Sequence, residues 1–354
     1  MNPPSRSPVP PDAAAASSPP RRLTARRAAP EESAPAGGPG AAALPAGAAP
    51  GSLAPGASRP VDAAALAWML LLTLLWGLNT ISVRVLVQGM APLMASGLRG
   101  ALALAVLLPY GLVKGERLGL GGRAVGHAAL NGLIFTTEFI FFYTAARFTT
   151  GAHLVLYINT APFFVAIGAH YLLPGDRLHA WKVAGLVLAF CGVAALFLNN
   201  LLTQSAGMWL GDSLMLVAAS LWAANTLYTK RFLSGRMSAF RMLYIQIAVS
   251  TPLLLLASWL TEAAPFHAVT ALTVGILLFQ GVITVAMTYM LWMHLVTRYP
   301  ASVMQSFTFL TPVWGVFMAA LLLGEQVQAL MLVSLALVGL GIYLVSRPRR
   351  VRAA

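Results

Sequence analysis

The chain has 354 residues, of which 58% are hydrophobic and only 9% are charged. Soluble globular proteins carry about 25% charged residues, so this composition excludes a soluble enzyme with a charged surface. The single cysteine excludes a fold built on disulfides. The apolar runs are continuous rather than alternating, which argues against a transmembrane β-barrel.

The net charge of +13 could suggest nucleic-acid binding, but the placement of the basic residues indicates otherwise. Six arginines lie in the first 60 residues, four lie at the end of the chain, and most of the others lie in short loops between apolar runs. This distribution is typical of a membrane protein with basic cytoplasmic loops. We therefore expect no nucleic-acid partner.

Residues 1–60 differ in composition from the rest of the chain, because they hold 14 of the 23 prolines. A segment so rich in Pro, Ala and Gly cannot bury enough apolar surface to offset its ordering entropy. No apolar run follows its arginine pairs closely enough for a signal peptide. We predict a disordered, basic cytoplasmic tail.

Ten apolar runs begin at residue 63, and they predict an all-α membrane protein with ten transmembrane helices. Span 8 is long, which predicts a tilted helix or one that includes part of a loop. The predicted spans, numbered 1 to 10, are 63–87, 91–113, 125–146, 150–171, 178–198, 206–232, 238–261, 268–297, 299–323 and 328–346.

The basic residues orient these spans. With a cytoplasmic N-terminus, 20 of the 23 Lys and Arg residues fall on cytoplasmic segments, and the loops after spans 5, 7 and 9 contain none. The exceptions are Arg84, Arg99 and Arg147. The positive-inside rule then predicts a multi-pass inner-membrane (plasma-membrane) protein with both termini in the cytoplasm.

The chain contains an internal repeat. The pattern Leu-Trp-x-x-Asn-Thr-x-x-x-basic occurs at 75–84 and again at 221–230, and Pro162 with the turn at 175–176 matches Pro312 with the turn at 324–325. We predict a first repeat at 61–200 and a second at 201–347, with a basic tail at 348–354. Because five spans is an odd number, the second repeat is inverted, which is a common plan of secondary transporters with a substrate site between the repeats.

These residues resemble the EamA-type members of the drug/metabolite transporter superfamily over residues 63–346. The resemblance implies ten helices, an inner-membrane location, and secondary transport, often export, of small metabolites such as amino acids. Glu138 and the Pro-Gly-Asp turn depart from the family's usual pattern. The matching segments are 76–79, Arg99, 143–146, Pro162, 174–176, 211–212 and 324–325.

Polar residues inside the spans are the candidate substrate site, because a charge in a membrane span is costly and is therefore a functional hypothesis. Asn79, Arg99 and Glu138 each lie eight residues from the same end of spans 1, 2 and 3, about 12 Å deep at 1.5 Å per residue. Their approximate counterparts in the second repeat are Asn225, Gln246 and Tyr289. The inversion predicts one polar cluster on each side of the midplane.

Two interpretations of Arg99 and Glu138 remain open from the sequence. The two residues could form a buried ion pair that fixes helix packing. Alternatively, Arg99 binds a substrate carboxylate while Glu138 binds the substrate amine or a coupling proton.

Span 4 adds two further candidates. His153 and Tyr157 lie one turn apart and predict a face toward the pore, with Asn159 on another side of the helix. Pro162 and Pro312 predict matched kinks that act as a hinge. Six glycines predict close helix contacts, namely Gly151, Gly168, Gly185, Gly192, Gly339 and Gly341.

We conclude from the sequence that the chain is a secondary transporter of small amphipathic metabolites and not an enzyme. No metal site, cofactor site or nucleotide-binding loop is recognisable. The alternatives are a sugar-phosphate or nucleotide-sugar exchanger and a polytopic membrane enzyme. The expected partners are a small-molecule substrate, membrane lipid and coupling protons, with the protein a monomer or homodimer.

Overall fold

The computed structural model describes residues 58–116, 118–119, 122–198, 208–323 and 329–347. The tail up to residue 57 and the basic tail at 348–354 lie outside the described residues. Within the described ranges the chain is almost entirely helical. The β-structure within these ranges is one isolated bridge between Met90 and Phe266.

The ten predicted spans are present. Eight helical segments of the described chain are long and apolar enough to cross a membrane, and two shorter apolar helices form spans 5 and 10. The spans are Ala63–Gly89, Pro92–Val113, Arg123–Ala145, Gly151–Leu172, Ala180–Leu196, Met208–Leu233, Ala239–Thr261, Ala271–Arg298, Ala301–Leu323 and Ala329–Ser346.

The α-helices of spans 4 and 9 are each interrupted near a proline. Span 4 consists of the helices Gly151–Ile158 and Ala161–Leu172, and span 9 passes from Ala301–Ser306 through a 3₁₀ turn into Leu310–Leu323. Pro162 lies in the first turn of its helix and Pro312 is the third residue of its helix, where proline's missing donor costs little. In both spans the α-helical geometry is thus interrupted just before the proline, and the matched kinks that would act as a hinge stay a prediction.

The length of span 8 has a specific structural cause. Its middle part, Gln280–Thr288, is π-helical and joins two α-helices without a loop. A shorter π-helical turn, Thr229–Leu233, ends span 6. A π-helix holds more residues per turn than an α-helix and often occurs at functional sites.

The spans pack in pairs that exchange when each span is replaced by its counterpart in the other repeat. Span 1 packs against spans 8 and 9, and its counterpart, span 6, packs against spans 3 and 4. Span 2 packs against spans 7 and 8, and its counterpart, span 7, packs against spans 2 and 3. Spans 5 and 10 are counterparts and pack against each other. This pairing is what two inverted five-span repeats produce.

The loops meet at two ends of the bundle. At one end, which we call the basic end, the Asp62 carboxylate accepts a hydrogen bond from Tyr299 at 2.9 Å, and Lys182 forms an ion pair with Asp176 at 2.8 Å. At the other, charge-poor end, Glu262 accepts hydrogen bonds from the backbone after Pro92. The chain alternates between these ends, as the charge pattern predicts.

Candidate functional site

A cavity of about 280 Å³ lies between the two repeats. This volume is near the lower end of known ligand pockets, which hold roughly 300–1,000 Å³, so it suits a small metabolite. Every span except 5 and 10 contributes to its wall. Its polar and aromatic lining residues include Trp76, Asn79, Arg99, Glu138, Tyr143, Asn159, Trp222, Asn225, Gln246, Thr284, Tyr289, Trp292 and Thr311.

The two predicted polar clusters line one cavity, and their positions on opposite sides of the membrane midplane stay a prediction. Asn79, Arg99 and Glu138 of the first repeat line the same cavity as Asn225, Gln246 and Tyr289 of the second. The two sets converge because spans 1–3 pack directly against spans 6–8. Counting residues along a single helix gives a depth but does not show which helices pack together.

Arg99 is the cation of the cavity. Its side chain is only 5% exposed, and its guanidinium lies 4.8 Å from the centre of the Phe139 ring. Such a cation–π contact stabilises the charge without using the guanidinium N–H donors. The described residues provide neither a carboxylate in ion-pair contact nor a hydrogen-bond acceptor for these donors, so they remain available to a ligand in the cavity.

Glu138 is the anion of the cavity and is 8% exposed. Its Oε2 atom is buried and has no hydrogen-bond partner among the described residues. Within that part of the chain Glu138 also forms no ion pair with Arg99. Burial of a carboxylate without a partner raises the free energy of the protein. Binding of a proton or an ammonium group to Glu138 would therefore stabilise the protein.

Aromatic rings form the apolar wall beside these charges. The Trp76 ring lies 6.3 Å from Trp222, 5.5 Å from Trp292 and 6.0 Å from Tyr289. The indole N–H of Trp76 donates to the Thr288 hydroxyl at 2.8 Å, which fixes the orientation of the ring. Rings contributed by spans 1, 6 and 8 therefore form one surface suited to an apolar part of a substrate.

Amide side chains from spans 1, 6 and 7 also line the cavity. Gln246 accepts a hydrogen bond from Asn131 at 2.9 Å, and Asn225 donates to the backbone carbonyl of Asn131 at 3.1 Å. Asn79 accepts a long hydrogen bond of 3.4 Å from Thr284. The sequence reasoning missed the positioning role of Asn131, although an uncharged amide in an apolar span was a visible signal for it.

His153 and Tyr157 do not belong to the cavity lining. The His153 Nδ1 atom lies 3.0 Å from Asp212 Oδ2 at the charge-poor end, and Thr149 donates to the same carboxylate at 2.6 Å. Tyr157 packs against a cluster that contains Met215. These two residues therefore attach span 4 to span 6.

Asn159 lines the cavity instead. It lies on another side of the helix from His153 and Tyr157, as predicted, and the side that faces the cavity is that of Asn159. It is the last residue before the break in span 4, with φ −74° and ψ 6°, and it donates to the carbonyl of Val155 at 2.7 Å. Val155, Ile158 and Asn159 follow helical spacing and form the face of span 4 that lines the cavity. Of the two predicted hinge prolines, Pro312 lines the cavity and Pro162 is buried outside its lining.

Comparison with known proteins agrees with this architecture. The profile of the EamA-like transporter family matches residues 63–198 and 209–347, once for each repeat. A probable amino-acid metabolite efflux pump of Escherichia coli (strain K12) is 28% identical over 78% of this chain and 92% of its own length. An uncharacterized transporter of Bacillus subtilis (strain 168) is 24% identical over 77% of this chain and 93% of its own length.

A solved crystal structure shows the same fold. It superimposes with a TM-score of 0.69 at 19% identity and covers 80% of this chain and 98% of its own. The two relatives above are named as a transporter and an efflux pump and not as enzymes. Because the family profile covers both five-span halves, the chain belongs to the EamA-like transporter family.

Proposed function

We propose that this transporter exports small zwitterionic metabolites, amino acids or related compounds, across the inner membrane. The observation that carries the proposal is the presence of two opposite charges in one cavity, Arg99 and Glu138, which form no ion pair with each other or with another described residue. A ligand with a carboxylate and an amine supplies a partner to each. The name of the Escherichia coli relative supports the same substrate class and the same direction.

In this proposal, residues of the cavity have three roles. Arg99 binds the substrate carboxylate, Glu138 binds the amine or a coupling proton, and the rings around Trp76 contact the apolar part. The amides Asn79, Asn225 and Gln246 and the hydroxyl of Tyr289 orient the ligand. His153 and Tyr157 act only indirectly, through the attachment of span 4 to span 6.

An exchanger of sugar phosphates or nucleotide sugars has less support. Phosphate recognition favours several cations around the ligand, and Arg99 is the only Lys or Arg in the described cavity lining. The buried carboxylate of Glu138 would repel a phosphate at short range. The cavity therefore favours a ligand with one positive and one negative group.

Transport in this proposal proceeds by alternating access between the two inverted repeats. The proposed orientation places the basic end and both termini in the cytoplasm, as the positive-inside rule requires. In the proposed cycle, proton binding at Glu138 and amine binding at Glu138 exclude each other. This competition couples outward movement of substrate to inward movement of protons.

The test is flux in proteoliposomes against a panel of amino acids, with and without a pH gradient. We expect the wild-type protein to accumulate a subset of the panel only when a gradient is present. Glu138→Gln is expected to abolish this dependence on the gradient, while Glu116→Gln, which changes a carboxylate at the basic end, is expected to preserve it. Gradient-driven flux that Glu138→Gln leaves unchanged would refute the coupling role.

A further inference from the structure

We infer that Lys230 holds the basic end of the transport path closed in this conformation, and that Arg84 closes the charge-poor end in the opposite one. The inference rests on the proposed alternating-access cycle and adds the residues that control it. It depends on the two repeats, because Arg84 and Lys230 occupy the same position in the repeated motif.

Lys230 is completely buried although it carries a charge. Its ammonium donates to the backbone carbonyls of Thr297 at 2.9 Å and Tyr299 at 3.0 Å, at the end of span 8. Ser234 also donates to the Thr297 carbonyl, at 3.1 Å. A cation at a helix C-terminus satisfies carbonyls that have no helical partner and interacts favourably with the helix dipole. Lys230 thus joins the end of span 6 to the end of span 8.

Arg84 has the matched position in span 1 but a different environment. It is exposed and has no hydrogen bond or ion pair with any residue that the structure describes. The carbonyls that correspond to those of Thr297 and Tyr299, counted by the spacing of Pro162 and Pro312, belong to Arg147 and Thr149. The contact that closes one end is therefore absent at the other.

The two repeats also differ in how spans 1 and 6 contribute to the cavity wall. In span 1, Thr80 and Val83 line the cavity. Their counterparts in span 6, Thr226 and Thr229, are each 1% exposed and are excluded from it. Thr226 donates to Gln305, and Thr229 accepts from Asn131. The space that is open beside span 1 is filled beside span 6.

Spans 4 and 9 repeat this difference. Leu154 and Val155 of span 4 line the cavity, whereas the matched residues Met304 and Gln305 of span 9 are fully buried. The loop contacts, in contrast, are similar at both ends. Thr149 donates to Asp212 at one end, and Tyr299, the counterpart of Thr149, donates to Asp62 at the other. The two ends therefore differ in the helix contact that Lys230 makes and in the packing around it.

The repeat symmetry then describes the opposite conformation. When the cavity opens toward the basic end, Lys230 releases the carbonyls of Thr297 and Tyr299. Arg84 then donates to the carbonyls of Arg147 and Thr149 and joins the end of span 1 to the end of span 3. Each cation stabilises one conformation, so substituting one of them shifts the population toward the other.

The experiment measures accessibility and needs no substrate. In a Cys191→Ser background, which removes the only native cysteine, one reporter cysteine is introduced by Val83→Cys or by Thr226→Cys. Full-length protein in membrane vesicles is exposed to a small membrane-impermeant thiol reagent from each side in turn. Without further change, we expect rapid labelling at position 83 from one side and slow labelling at position 226 from the other.

Lys230→Met removes the donors at similar side-chain length. Because hydrogen bonds to charged groups contribute more than neutral ones, we expect labelling at position 226 to accelerate at least about tenfold and labelling at position 83 to slow. Arg84→Gln is expected to reduce the residual labelling at position 226 and, combined with Lys230→Met, to restore part of the original ratio. Arg231→Gln changes the exposed neighbour of Lys230 and is expected to leave both rates unchanged.

Unchanged rates in Lys230→Met and in Arg84→Gln would overturn the inference. Acceleration at both reporter positions in Lys230→Met would also overturn it, because that result indicates a loosened bundle instead of a shift between conformations. Arg84 is exposed, so Arg84→Gln retains the packed core and keeps the inference testable even if Lys230→Met does not fold. Absence of amino-acid flux with these labelling shifts intact would refute only the proposed substrate.

Discussion

Arg99 and Glu138 carry opposite charges in one apolar cavity, where electrostatic attraction is strong, yet they form no ion pair. In this cavity the ring of Phe139, the residue next to Glu138 in the sequence, lies 4.8 Å from the Arg99 guanidinium. The sequence identifies both charges, because each interrupts an apolar span, but it cannot show whether they pair. That outcome depends on side-chain direction across two packed helices, which no pattern within one helix contains.

Substitution of Arg99 is predicted to weaken binding of substrates with a carboxylate. Loss of hydrogen bonds between charged groups costs about 1.5–3 kcal/mol, so Arg99→Gln should raise the Kd for an amino acid roughly tenfold to a hundredfold. The amide derivative of the same amino acid lacks the carboxylate charge and should bind the variant and the wild-type protein about equally. Calorimetric titration in detergent measures both ligands, and an equal loss for both would contradict the assignment.

Asp62 should make stability depend on pH at the basic end. Hydrogen bonds from the backbone of Ala65 and from the Tyr299 hydroxyl lower the pKa of this carboxyl below its usual 3.8. A group with a lowered folded-state pKa stabilises the protein above its unfolded pKa, and this contribution is lost as the pH falls through the folded value. Asp62→Ala should therefore lower the Tm at pH 7 and change it little near pH 3. Thermal unfolding of both proteins at the two pH values checks this, and an equal loss at both would contradict it.

At the scale of helices, interruptions decide which side chains reach the cavity. The sequence contains the two prolines that mark spans 4 and 9, but the helix in span 4 ends at Ile158, before Pro162. His153 and Tyr157 share one face of this helix, but the face that lines the cavity is the one with Val155, Ile158 and Asn159. A partner in another span, Asp212, then determines the position of His153.

Two glycines of span 10 give a stringent test of helix packing. A Cβ atom on Gly341 would lie 2.5 Å from the carbonyl oxygen of Gly185, whereas a Cβ atom on Gly339 would meet nothing within 4 Å. The close contact predicted for Gly341 is confirmed, and the one predicted for Gly339 is wrong, because two residues of rotation place Gly339 on another side of the helix.

Gly341→Leu should therefore separate spans 5 and 10, while Gly339→Leu should be tolerated. Overpacking of a tight contact typically costs about 1–3 kcal/mol, so the Tm of Gly341→Leu in detergent should fall by several degrees. Gly339→Leu is the matched control, because it adds the same side chain to the same helix. A similar fall for both variants would show that the added bulk, and not the contact with Gly185, is responsible.

At the scale of the whole molecule, the repeat predicts more than any single motif does. The matched segments around Trp76 and Trp222 predict five spans per repeat, and the pairing of spans agrees with that plan. The same reasoning placed the two polar sets at separate depths, although the packed helices bring them into one cavity. Depth along a helix can be counted from the sequence, but which helices meet is decided by packing.

The proposed orientation is testable in the full-length chain. The basic end carries the charged loops, so the positive-inside rule places it in the cytoplasm. Pro174 is exposed after span 4, in the turn that precedes the Asp176 contacts of the basic end, and Ala264 is exposed after span 7 at the charge-poor end. In a Cys191→Ser background, an impermeant maleimide should label Ala264→Cys in intact cells and label Pro174→Cys only after permeabilisation. Labelling of both in intact cells would indicate leaky membranes, and the reverse pattern would invert the assignment of export.

Because the cavity extends along Thr80, Val83 and Leu154 of spans 1 and 4, the proposed orientation also makes this conformation the one that releases substrate outside the cell.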